Sequence, residues 1–125
     1  PHTLRGQESV GDVPAPGSDP ENLQALRNAG FTAVSLAGNH IHDRGAEGMA
    51  DTVDGLSGLG ILSAGAGDNL AAARTPAQMA ANGLKIGLLS YNCVGPKEGW
   101  ATPSRAGCAY LKIITHYELE GANPG

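Results

Sequence analysis

Apolar positions along the chain fall into stripes and short runs of alternating kind. Leu23 and Leu26 recur on helical spacing behind Ser18-Asp19-Pro20-Glu21. There Ser18 or Asp19 can cap, Pro20 is tolerated in the first turn, and Ser18 with Glu21 has capping-box spacing. Gly30 suits a C′ position, so a helix is expected between these signals. Residues 31–36, "FTAVSL", are short, apolar and partly β-branched, which predicts a buried strand. Met49, Val53, Leu56 and Leu59 form one stripe at i, i+4, i+7 and i+10, with Asp51 and Asp54 on the other side. That predicts a second helix from near Ala46 to Gly60. Residues 61–64 are a short strand candidate. Asp68 or Asn69 can cap a short helix over 70–74, which Pro76 stops. After weakly extended residues 77–81, Asn82-Gly83 is a strong hairpin signal. Residues 84–91, "LKIGLLSY", are apolar on both faces and predict a central strand. A long loop over 92–108 and a strand-like run over 109–117 follow. The first 17 and last five residues carry no period.

Helices alternating with strands predict an α/β domain with a central sheet. No internal repeat or linker interrupts the 125 residues, so 1–125 is read as a single domain. Pro1 stands where an initiator Met would, and the expectation is a truncated piece of a longer protein.

Composition narrows the function classes. Charged residues are 16% and hydrophobic residues 41%, a globular balance rather than a disordered one. Aromatics are only 4%, so the core must rest on Ala, Val, Leu and Ile. The net charge is −4 and no Lys/Arg cluster occurs, which argues against nucleic acid as a partner. No apolar run is long enough for a membrane span. Cys93 and Cys108 have no CxxC spacing or paired histidines, which argues against structural zinc. Two free thiols are the first expectation and a bridge the second.

Candidate chemistry concentrates in "SLAGNHIHDRG", residues 35–45. In open α/β sheets, ligands sit beyond the carboxyl ends of strands. Asn39 and His40 fall there if 31–36 is a strand. An Asn carbonyl and an imidazole can both ligate metal, and a His can also act as general acid. The plain structural alternative is loop hydrogen bonding by Asn39 and a surface role for His40. Elsewhere, Gly65-Ala66-Gly67 suits a tight turn better than an anion site. His116 is read as structural, with Tyr117, Glu118 and Glu120 continuing a polar exit. The 92–108 loop, with Lys97, Glu98, Trp100 and Arg105, can form a lid or substrate wall or simply pack on the surface. His2 and His42 have no partner nameable from sequence.

Gly38-Asn39-His40 resembles the Gly-Asn-His block of calcineurin-like metallophosphoesterases. The longer text, "DPENLQALRNAGFTAVSLAGNHIHDRGAEGMADTVDGLSGLGILSAGAGDNLAAARTP" with the later "NGLKIGLLSYN", resembles the bacterial CapA family of poly-γ-glutamate capsule-synthesis proteins. The resemblance covers about residues 18–110. It implies part of a metallophosphatase-like α/β sandwich with a central mixed sheet and flanking helices. It also implies a divalent metal ion (Mn, Zn, Mg or Fe) with Asn39 and His40 on the metal side. His40 would contact the phosphate and protonate a leaving group. Asp43 would fix the loop or support the site from behind, and less readily act directly. The implied partners are poly-γ-glutamate or a phosphoester substrate and other capsule-synthesis proteins, at the bacterial cell envelope. Gly38 departs from the Asn that this family often carries, and Arg44 from a common aromatic. Gly11-Asp12 has the letters of an upstream metal block but follows no strand, and is read as loop. No downstream Gly-His-x-His block occurs, so the 125 residues do not contain a complete two-metal site. Two functions stay open: metal-dependent phosphoester hydrolysis in the intact protein, or a non-catalytic binding or assembly module of a capsule synthesis or export complex. For the truncated chain alone, a fragment without independent activity is the third expectation.

Overall fold

Among the described residues the chain forms three short ladders and three α-helices. The computed structural model describes residues 1–5 and 17–116. Gly11-Asp12, Tyr117, Glu118 and Glu120 lie outside the described residues. A 3-10 turn, Pro20–Asn22, leads into helix α1 (Leu23–Asn28). Strand β1 (Ala33–Ser35) follows, then α2 (Gly45–Gly58), β2 (Leu62–Ala64) and β3 (Ala66–Gly67). Next come α3 (Leu70–Ala73), β4 (Ala77–Ala81), β5 (Leu84–Leu88) and β6 (Gly107–Cys108). The mixed α/β character expected from sequence is present.

Asp19 is the residue that caps the first helical turn. It accepts a hydrogen bond from the Glu21 N–H at 2.9 Å. Ser18 instead joins its backbone to Pro1 and Thr3. Asn69 caps α3 in the same way, accepting from the Ala72 N–H at 3.0 Å. Each cap satisfies an N–H that has no partner inside its helix.

The strands lie in two-stranded ladders. β1 and β2 are parallel, with α2 as their crossover. β3 pairs with β6, and β4 with β5, both antiparallel. At the β4–β5 turn, Asn82 and Gly83 take φ of 50° and 77°. Two successive positive φ values match the twist of a two-residue hairpin, and Asn and Gly tolerate them best. Strand β5 is not central. Among the described residues it pairs only with β4, and Leu84 and Ile86 are exposed. The strand-like run after 108 forms one bridge, Tyr110 with Asn92, and no further strand among the described residues.

Two apolar clusters hold the α2 region. Leu23, Leu56 and Ile61 pack with Leu26, Val34, Leu36 and Leu59. Ala37, Ile41, Met49 and Cys108 pack with Leu36, Ala66, Trp100 and Ala106. Met49 and Leu56, from the predicted stripe, are fully buried. Burying side chains of this size contributes about 1.5–3 kcal/mol each. Phe31, expected inside, is 48% exposed because β1 begins two residues later. A third, smaller cluster of Ala73, Ala101 and Ala109 ties α3 to the later loop. Cys93 is exposed and Cys108 buried, and both are free thiols.

The chain's first residues are fastened to α2. The His2 N–H donates to Thr52 Oγ1 at 2.8 Å. Thr3 Oγ1 donates to Asp51, and Arg5 forms an ion pair with the same carboxylate. The Arg5 hydrogen bond, with help from Thr3, holds the Asp51 carboxyl down at about 2.

Candidate functional site

The turn between β1 and α2 carries the candidate site. Its position is set by how β1 ends. The Leu36 N–H still bonds β2, donating to the Ala64 carbonyl at 2.8 Å. The next N–H, of Ala37, donates instead to the buried Ser90 hydroxyl at 3.1 Å, which also bonds the Ser35 hydroxyl at 2.7 Å. Ser90 thus takes over where the ladder stops. Gly65 makes room for it: at φ 102°, a Cβ there would sit 2.6 Å from Ser90 Oγ. The sequence drew attention to Gly65 but gave no sign of Ser90, whose partner lies 55 positions away.

From Gly38 to Gly45 the chain coils in successive tight turns. The N–H groups of Ile41, Asp43 and Gly45 donate to the carbonyls of Gly38, His40 and His42 at 3.3, 3.3 and 2.8 Å. Side chains then sort by position. Ile41 is buried in the apolar cluster with Met49 and Cys108 and anchors the turn. Asn39 and His40 are exposed. Asp43 is buried, its side chain only 11% exposed, and its Oδ2 lies 2.8 Å from His40 Nδ1.

That contact defines a dyad. A carboxylate only accepts hydrogen bonds, so the Nδ1 facing it carries the proton. Nε2 is then the ring nitrogen left to exchange protons or meet a ligand, on a side chain that is 74% exposed. A buried carboxylate holding an exposed imidazole is the arrangement of a general acid or base with its orienting partner.

His42 points to another neighbour. Gly99 of the 92–106 loop is buried against it, and a Cβ at Gly99 would meet His42 Cβ at 3.3 Å. Burial, then the positive charge of Arg105, push the His42 imidazole below its ordinary value, while Asp43 pulls the other way. His2, also without a partner in the sequence reading, has its Nδ1 3.4 Å from the Asp19 carbonyl. His116 is exposed.

Asn39 and His40 do not form a complete metal site by themselves. Among the described residues no group of three His, Cys, Asp or Glu side chains could hold a metal ion. Asn39 and His40 offer two neutral donors, and the nearby carboxylate, Asp43, is engaged by His40. Zinc sites take three or four protein ligands, and Mg²⁺ is held through carboxylate oxygens. The donor set here does not fit such an ion by itself. A groove of about 540 Å³ lies on the β4–β5 hairpin, lined by Gln78, Met79, Lys85 and Ile86 among others, and none of residues 38–44 lines it. Among the described residues no helix is long and apolar enough to cross a membrane.

Residues 2–115 match the family model of the bacterial capsule synthesis protein PGA_cap. The chain belongs to this family. It is 39% identical over 85 residues to a probable polyglutamine synthesis accessory protein of Mycobacterium tuberculosis, a match covering 66% of this chain and 22% of that protein. The same values hold for its counterpart in a second strain of that organism. It is 32% identical over 71 residues to the capsule biosynthesis protein CapA of Bacillus anthracis, covering 57% of this chain and 17% of that protein. The chain therefore spans about a fifth of the length of the curated relatives it matches.

Proposed function

We propose that the full-length protein acts in poly-γ-glutamate capsule synthesis and that the 38–44 turn is its substrate-facing site. In the reading we favour, the reaction is hydrolysis at a phosphoester. His40 in its imidazolium form, held through Nδ1 by Asp43, gives its Nε2 proton to the leaving oxygen as the phosphorus–oxygen bond breaks. Water takes the vacated place at phosphorus. The products are an alcohol and a phosphate, and His40 is left neutral. The observation that carries the reading is the 2.8 Å contact between an exposed imidazole and a buried carboxylate. Its position beyond the end of a parallel strand supports it, because ligands of α/β folds gather there. Family membership supplies the capsule context. For the divalent ion, Asn39 would be one neutral ligand and the anionic ligands would come from outside the described residues.

Phosphate release by the full-length protein from simple phosphomonoesters and phosphodiesters tests this. Positioned general acids contribute about 10²–10⁴-fold. His40→Ala is expected to slow turnover by at least the lower figure. Calorimetric titration with Mn²⁺, Zn²⁺ and Mg²⁺, beside Asn39→Ala, reports whether Asn39 is a ligand. A second reading is a binding or assembly module among capsule-synthesis partners. The exposed side chains of Leu84, Ile86, Leu111, Ile113 and Ile114 favour it. It would stand if the wild-type protein turned over no phosphoester while cells still required it for polymer production.

A further inference from the structure

The turn that presents Asn39 and His40 is held on both sides of them. After them, Ile41 is buried in the apolar cluster with Met49 and Cys108. Before them, the buried Ala37 N–H donates to Ser90 Oγ at 3.1 Å. Between these two anchors Gly38, Asn39 and His40 are exposed. A Cβ at Gly38 would meet nothing within 4 Å, so no neighbour hems the chain in there. The backbone bond across the span, from the Ile41 N–H to the Gly38 carbonyl, is long at 3.3 Å. The direction in which His40 leaves the sheet therefore depends on where Ala37 is pinned.

Ser90 is itself fixed from both sides. Strand β5 ends two residues before it, with Leu88 paired to Ala77. Two residues after it, Asn92 is buried. The Asn92 N–H donates to the Ala109 carbonyl and its carbonyl accepts from the Leu111 N–H, both at 2.8 Å. Its side chain accepts from the Val94 N–H at 2.7 Å. The second contact of the Ser90 hydroxyl, with Ser35 at 2.7 Å, ties it to the last residue of β1. Gly65 lets the two segments meet, since a Cβ there would stand 2.7 Å from Ser90 Cβ and 2.8 Å from Ala37 Cβ. Without the Ser90 hydroxyl, the Ala37 N–H would be buried with its acceptor gone. Such a donor is costly, and the chain relieves it by moving toward water. The residues next along the chain, 38–40, are the exposed ones, so the movement carries through to His40.

We propose that Ser90 is a positioning residue of the 38–44 site: by holding the Ala37 N–H it sets the place and direction of His40 toward the substrate. The inference rests on the reading of that turn as substrate-facing. It assigns a role in the chemistry to a side chain that touches neither the substrate nor His40.

The test uses the full-length protein, and its first readout needs no ligand. Nitrogen NMR of the histidine rings reads which nitrogen of neutral His40 carries the proton. The Asp43 carboxylate favours Nδ1, and a displaced ring loses that preference. Ser90→Ala is expected to lower the Nδ1-protonated share. It is also expected to lower kcat for phosphoester hydrolysis about 10–100-fold, the effect of misplacing a reacting group by about an ångström. KM should stay within about threefold, because the displaced group acts in the transition state. Ile61→Val is the control. It trims the cluster of Leu23 and Leu56, lowers the unfolding midpoint and removes no bond to Ala37, so both readouts should stay as in wild type. Ser90→Cys fills the same space with a weaker acceptor and should fall between wild type and Ser90→Ala. If Ser90→Ala does not fold, Ser90→Cys decides by the same readouts. The proposal is overturned if the folded variant keeps the wild-type ring signals, if its kcat stays within about twofold of wild type, or if Ile61→Val reproduces its changes. Failure of the hydrolytic reading is seen separately, as absence of phosphate release from the wild-type protein, and the ring signals alone then decide the role of Ser90.

Discussion

Helix α2 and the β4–β5 hairpin both carry apolar residues at regular intervals, yet they are held by different forces. In α2, Met49 and Leu56 are each 1% exposed, and each sits in a cluster drawn from several elements. In the hairpin, Leu84 and Ile86 are 66% and 43% exposed. The hairpin keeps its register through its backbone ladder and the Asn82-Gly83 turn, with Ala77 as its buried residue. A two-stranded ribbon has little stability of its own in water. Apolar patterning selects the type of element, while neighbours in space decide whether its face is buried.

Two substitutions test that comparison directly. Leu56→Ala should have the largest effect. Removing a fully buried leucine leaves a cavity and costs about 2–5 kcal/mol. Ile86→Ala should cost less than about 1 kcal/mol, as surface substitutions do. Denaturant unfolding of the full-length protein measures both. Equal losses would break the contrast and mean that another part of the protein covers the hairpin.

Asp43→Asn comes next. It keeps the shape of the side chain but removes the charge that holds His40. The loss of one charge-assisted hydrogen bond corresponds to about a 10–100-fold fall in any His40-dependent rate. Steady-state kinetics beside His40→Ala would show whether the two residues act as a unit. If they do, the double variant is no slower than His40→Ala alone.

The smallest effect is one of pH. Folding lowers the His42 pKa from its ordinary 6.5, chiefly by burial. In that range the unfolded chain binds more protons than the folded one, so stability rises with pH. The contribution is complete above 6.5 and is lost as pH falls toward the folded value. Unfolding midpoints across mildly acidic pH should slope in this direction. His42→Gln should flatten the slope, and an unchanged slope would assign it to other groups.

Local signals were the legible part of this molecule. Asp19, Asn69, Asn82 and Gly83 act within a few residues of themselves, and each does in the structure what its neighbours in sequence imply. The α2 stripe was legible for the same reason, since helical spacing places Met49 and Leu56 on one side without reference to the rest of the fold. The central place expected for residues 84–91 was not met, because an apolar run states a preference for burial and cannot name its cover. Within the site, Asn39, His40 and Asp43 were visible as a cluster of chemical types. The His40–Asp43 contact follows from a three-residue spacing. The clamp by Ser90 and the approach of Gly99 to His42 were invisible, since both join positions more than fifty apart.

One further consequence concerns the order of folding. The β1–α2–β2 unit occupies the unbroken stretch 33–64, and the turn with His40 and Asp43 lies wholly inside it. Contacts between residues near in sequence close at low entropic cost and tend to form first. Pulse-labelled hydrogen exchange should accordingly protect 33–64 as one group, ahead of the 92–106 loop. The His40–Asp43 contact would then be assembled before the 92–106 loop comes to rest on His42, so the wall of the turn would be the last part of it to form.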